Sequence, residues 1–123
     1  MTSEILSKLV ITDIISVSTL YTNENVSKHR DNRPAWAIIV KYEGETVYLS
    51  KGKKHVSNIN NITILPKGCS YSWECIKAGH YSVIEFECQY TSDEIITFPV
   101  SNGEKLVKAI KRLELEKAKK KEL

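Results

Sequence analysis

The histidines, cysteines and serines of this 123-residue chain are the groups that could do chemistry, and their spacing argues against most of it. His29, His55 and His80 stand far apart, and none belongs to an HxH pair. A zinc or iron site gathers three or four N, O or S ligands, usually from short recurring spacings. These positions supply no such set, so neither a metal nor another cofactor is expected. Cys69, Cys75 and Cys88 are odd in number and lack CxxC spacing. That pattern reads as reduced thiols packed as small apolar groups, not as a disulfide framework or a thiolate zinc site. There is no GxSxG elbow, and no Ser or Cys has a context that supplies a paired base. The glycines are scattered through the turns and are not gathered into a phosphate loop. No catalytic residue is therefore expected, and the chain reads as a binding protein. One aromatic face stands out: Tyr71, Trp73 and Cys75 recur with period two, which puts them on the same side of a strand.

The elements that carry these residues are strands. Turn signals recur at Glu43-Gly44, Lys51-Gly52, Asn60-Asn61, Lys67-Gly68 and Ala78-Gly79, about 7 to 11 residues apart, the rhythm of a sandwich or barrel. Between them lie β-branched and aromatic segments. Trp36, Ile38, Val40 and Tyr42 alternate on one face, as do Val47 and Leu49. Ile62 and Ile64 run into Pro66, and Val83 sits in the alternating segment from Tyr81 to Glu87. Ile14 to Tyr21 is an earlier strand. The pattern changes at Ser101-Asn102-Gly103-Glu104, a capping box. Leu106, Val107, Ile110 and Leu113 then form one apolar stripe at helical spacing. The expected architecture is mainly β, with a barrel over residues 1–100 and a C-terminal amphipathic helix and Lys-rich tail over 101–123.

Charge follows the same division. Residues 104 to 123 hold eight Lys or Arg and four Glu, a balance of +4, whereas the first 103 residues hold ten basic and eleven acidic side chains. A nearly neutral body lacks the basic patch that gripping nucleic acid requires. No apolar run approaches the roughly 20 residues needed to cross a bilayer. The N-terminus lacks the charged start and continuous apolar core of a signal peptide. A cytoplasmic protein with no membrane partner is expected.

The segment Asn61-Ile-Thr-Ile-Leu-Pro66-Lys-Gly68-Cys-Ser-Tyr71 resembles the second motif of cupins, in which a strand enters a P-x-G turn and a histidine follows three positions later. Tyr71 occupies the histidine position. Arg33-Pro34 leading into Trp36 and on to Gly44 is similar to the start of the sensor domain of AraC-family transcription regulators. Tyr81 to Phe86 resembles that domain's closing strand, and the C-terminal helix fits its dimerisation helix. The resemblance spans about Arg30 to Arg112 and implies a cupin-like barrel, a double-stranded β-helix or jelly roll. Metal-dependent cupins draw ligands from an HxH pair and from the histidine that Tyr71 replaces, so the resemblance implies no metal here.

What it does imply is a ligand-sensing and dimerisation domain whose DNA-binding helix-turn-helix half is absent from this chain. Ligand contacts in sugar-sensing members carry over to Arg33, Trp73, Tyr81 and Val83. Tyr71 shares the face of Trp73. Glu85 shares that of Val83, and its charge calls for a partner, either Arg33 or a cationic ligand. The implied partners are a small-molecule effector such as a sugar and a second copy of the chain, held through Leu106, Val107, Ile110 and Leu113. DNA would be reached only through the missing domain. The alternative is a stand-alone small cupin, either a ligand-binding protein or a metal-dependent isomerase or dioxygenase.

Overall fold

The computed structural model describes residues 11–100 together with Lys108, Lys111, Arg112, Leu115 and Glu116; the side chains of residues 11 and 12 are not among them. The described chain is a succession of strands: β1 (Ile11–Thr22), β2 (Ser27–Arg30), β3 (Trp36–Lys41), β4 (Glu45–Ser50), β5 (Lys53–Ser57), β6 (Asn61–Leu65), β7 (Tyr71–Lys77), β8 (Gly79–Cys88) and β9 (Ile96–Pro99). They form two antiparallel sheets, one in the order β1-β8-β3-β6-β9 and the other in the order β2-β7-β4-β5.

Each of the five turn signals falls at a strand boundary. Lys51 and Gly52 both have positive φ, 53° and 74°. That is the primed two-residue turn whose twist matches a tight hairpin, here β4 to β5. β2 and β9 were not singled out by the sequence. Both have four residues and lie at sheet edges, where one neighbour strand rather than an internal pattern defines them.

β3 explains how the sheets pack. It is flanked by β8 and β6, and five of its six residues are buried. Alternation sends Ala37 and Ile39 towards the other sheet, where they join Tyr48, Leu65, Cys69, Tyr71 and Ile95 in the inner core. The opposite stripe, Trp36, Ile38 and Val40, lies on the outer side of the five-stranded sheet, with Phe86, Ile64 and Ile84. Trp36 is 2% exposed and Phe86 fully buried, so this outer face is covered as well. The alternation that is most conspicuous in the sequence therefore marks the outer stripe, not the one that faces the second sheet.

The expected helix and its stripe Leu106, Val107, Ile110 and Leu113 lie outside the described residues. Lys108, Lys111, Arg112, Leu115 and Glu116 have helical backbone and are exposed. Lys111 Nζ stands 5.5 Å from the centre of the Tyr42 ring. Among the described residues no helix is long and apolar enough to cross a membrane.

Candidate functional site

The P-x-G turn builds one wall of the site. Pro66 fixes φ where the chain leaves β6, and Gly68 takes φ 85°, a conformation that side chains disfavour. The turn then holds the backbone of Arg33 from both sides. The Arg33 N–H donates to the Cys69 carbonyl at 3.0 Å, and the Gly68 N–H donates to the Arg33 carbonyl at 2.8 Å. Asn32 N–H donates to Ser70 Oγ at 2.9 Å. Two segments far apart in sequence are thus clamped together, and the Arg33 side chain is delivered beneath β7.

Arg33 is 4% exposed, and each of its three guanidinium nitrogens makes a hydrogen bond. Nε donates to the Ala35 carbonyl at 3.1 Å, Nη1 to the Tyr71 hydroxyl at 3.0 Å and Nη2 to Glu85 Oε2 at 3.0 Å. Ser16 Oγ donates to the other Glu85 oxygen at 3.1 Å. Of the two partners expected for Glu85, the one present is Arg33. A planar guanidinium suits this role because its fixed fork serves three acceptors at once.

Beside this network lies a cavity of about 240 Å³ between the two sheets. Arg33, Tyr71, Trp73, Tyr81, Val83 and Glu85, the six residues expected at a ligand site, all line it. They come together because odd-numbered residues of β7 and β8 point into the space between the sheets, and because the P-x-G turn carries Arg33 there. Tyr48 adds an aromatic wall, its ring 5.4 Å from that of Tyr71 and nearly perpendicular to it. Leu20 and Arg30 line the cavity too; both are exposed and mark its mouth. Burial pushes the Tyr48 hydroxyl well above the usual phenol range, so it stays protonated.

Lys41, at the end of β3, is among the lining residues that sequence reasoning missed, as are Thr46 and Tyr48. Lys41 is 5% exposed. Its Nζ donates to Thr46 Oγ1 at 2.6 Å and lies 4.3 Å from the centre of the Tyr81 ring. Among the described residues no carboxylate forms an ion pair with it. Burial lowers its pKa from the ordinary 10.5 to about 8. The signal was available: Lys41 is in register with Ala37 and Ile39, and a strand apolar on both faces leaves its lysine no open side.

The remaining candidates do not converge on chemistry. His29 bonds to Ser72 and Asp31 on the outer side of β2, His80 pairs with Glu43 at a turn, and His55 lies on the edge strand β5. No group of three or more His, Cys, Asp or Glu residues suited to a metal occurs among the described residues. Burial pushes the thiols of Cys69, Cys75 and Cys88 up, away from the reactive thiolate form.

No protein-family model and no curated protein matches the sequence. The fold is shared with solved structures of ToxT from Vibrio cholerae. One superposes with a TM-score of 0.62 at 10% identity, over 77% of this chain and 46% of that one. A second, of ToxT from strain O395 bound to (E)-4-(8-methylnaphthalen-1-yl)but-3-enoic acid, gives 0.60 at 11% identity over 76% and 45%. A third, of unsaturated fatty acid-bound ToxT from strain SCE256, gives 0.55 at 9% identity over 85% and 51%. The chain thus spans about half the length of these proteins.

Proposed function

We propose that this chain is the effector-sensing domain of an AraC-type transcription regulator, a cupin-like jelly-roll barrel whose cavity between the sheets takes a small-molecule effector. The observation that carries this reading is the meeting of Arg33, Tyr71, Trp73, Tyr81, Val83 and Glu85 around one cavity open to solvent. The strand order supports the jelly roll: β1-β8-β3-β6 opposite β2-β7-β4-β5 is the eight-strand pattern of two Greek keys, here with β9 added at one edge. The likeness to ToxT, an AraC-family regulator with small-molecule ligands, supports the sensor role. On this reading the domain is cytoplasmic and binds rather than catalyses, and DNA is contacted only by a domain outside this sequence.

A thermal-shift screen of sugars and small carboxylic acids tests the reading. At least one compound should raise the melting temperature of the wild type, and Trp73→Ala should abolish that rise while still folding. A wild type that responds to no compound, or a response unchanged in Trp73→Ala, contradicts it.

Dimerisation completes the proposal, because such regulators act with two DNA-binding halves held together. The stripe Leu106, Val107, Ile110 and Leu113 is the proposed seam. Of these, Leu106, Ile110 and Leu113 would each contribute roughly 1.5–3 kcal/mol on full burial, before the losses of association, which implies a dimer of about micromolar affinity. Sedimentation should show a concentration-dependent dimer that Ile110→Asp splits. A wild type that stays monomeric at high micromolar concentration removes the seam.

A further inference from the structure

We infer that the end of the cavity at Lys41 and Thr46 takes the carboxylate of a small planar acid; this rests on the reading of the cavity as an effector site and names the class of effector. Two buried cations line the cavity, and they differ in what they have left to give. Arg33 already spends Nε, Nη1 and Nη2 on Ala35, Tyr71 and Glu85. Lys41 has one hydroxyl acceptor, Thr46, and the face of Tyr81, with no carboxylate partner among the described residues. An ammonium held out of water without an anion is unfavourable, and an anion entering the cavity relieves it. The lining charges agree, with Arg30, Arg33 and Lys41 set against Glu85 alone.

Size and shape narrow the class. The cavity of about 240 Å³ lies below the roughly 300–1,000 Å³ that holds drug-sized ligands. At about 30 Å³ for each water in the liquid, it has the space of roughly eight waters, or a ligand of roughly ten non-hydrogen atoms. Tyr48, Tyr71, Trp73 and Tyr81 supply flat walls suited to a ring or a conjugated chain. A long-chain fatty acid exceeds this space. Of the ionisable groups, Cys75 of β7 and Tyr81 of β8 face the ammonium, and Tyr48 of β4 lines the same cavity. Burial raises the pKa values of Tyr48 and Cys75, and the Lys41 ammonium loses its proton as pH rises through about 8.

Calorimetric titration with benzoate, phenylacetate and cinnamate, each against its neutral amide, tests this, with palmitoleate as the long-chain probe. At about pH 6.5 at least one of the three acids should bind the wild type, at least about tenfold more tightly than its amide and than palmitoleate. Its affinity should fall roughly thirtyfold by about pH 9.5, as the Lys41 ammonium loses its proton. Lys41→Met should lose the acid while keeping its fold. The inference is overturned if the acids bind Lys41→Met as well as the wild type, if the amides bind equally, if palmitoleate binds best or if no acid binds. A neutral ligand whose binding depends on Trp73 but not on Lys41 would sink this inference and leave the effector site standing. Failure of every ligand would sink both.

Discussion

Arg33→Leu should destabilise the domain by about 3 kcal/mol, measured by urea unfolding at neutral pH. The substitution leaves Glu85 without its cation, and it removes the donors that the Tyr71 hydroxyl and the Ala35 carbonyl accept. Breaking a buried pair by removing one partner costs about 3–5 kcal/mol. The lower end applies, because the Glu85 side chain keeps 30% exposure and water can reach it. The pair as such is not the source of stability. Replacing both partners by apolar residues removes the stranded charge, so Arg33→Leu/Glu85→Leu should recover most of the loss. A double variant no more stable than Arg33→Leu would mean that the guanidinium acts mainly through Ala35 and Tyr71.

Lys41→Met should have the opposite sign. Methionine keeps the length of the stem and removes a buried charge, so the variant should be more stable than the wild type below pH 8. The drop of the Lys41 pKa from 10.5 to about 8 corresponds to a penalty on the order of 3 kcal/mol for the charged form. The pH dependence follows. Below pH 8 folded and unfolded chains both carry the proton, and the folded state bears the full penalty. Between pH 8 and about 10 the unfolded chain still binds the proton and the folded chain does not, so wild-type stability rises with pH. Above about 10 the raised pKa of Tyr48 works the other way, since its hydroxyl ionises more readily in the unfolded chain. Urea unfolding across that window should show the advantage of Lys41→Met shrinking. An advantage that does not change with pH would place the ammonium in contact with water.

These two residues also show what could be read from the sequence. The turns were legible because Gly44, Gly52, Gly68 and Gly79 mark them locally, and the strand rhythm between them follows from side-chain alternation. The aromatic wall of Tyr71 and Trp73 was legible for the same reason, as both belong to one strand. Arg33 was reached only through the likeness to sensor domains, because what places it is a backbone clamp to Gly68 and Cys69, a tertiary fact. Lys41 was passed over because the most apolar alternation of β3, Trp36, Ile38 and Val40, drew attention to the outer stripe. The second stripe, Ala37 and Ile39 followed by Lys41, was the signal that could have found it.

The most direct test of the effector site is chemical-shift mapping of a bound compound on the ¹⁵N-labelled protein. A compound that raises the melting temperature should produce saturable shifts at Arg33, Tyr71, Trp73, Tyr81, Val83 and Glu85, with Lys41 and Thr46 included for an acid. The exposed outer residues Val56 and Ile76 should not respond. Saturable shifts confined to that outer face, with the cavity residues unmoved, would contradict the account.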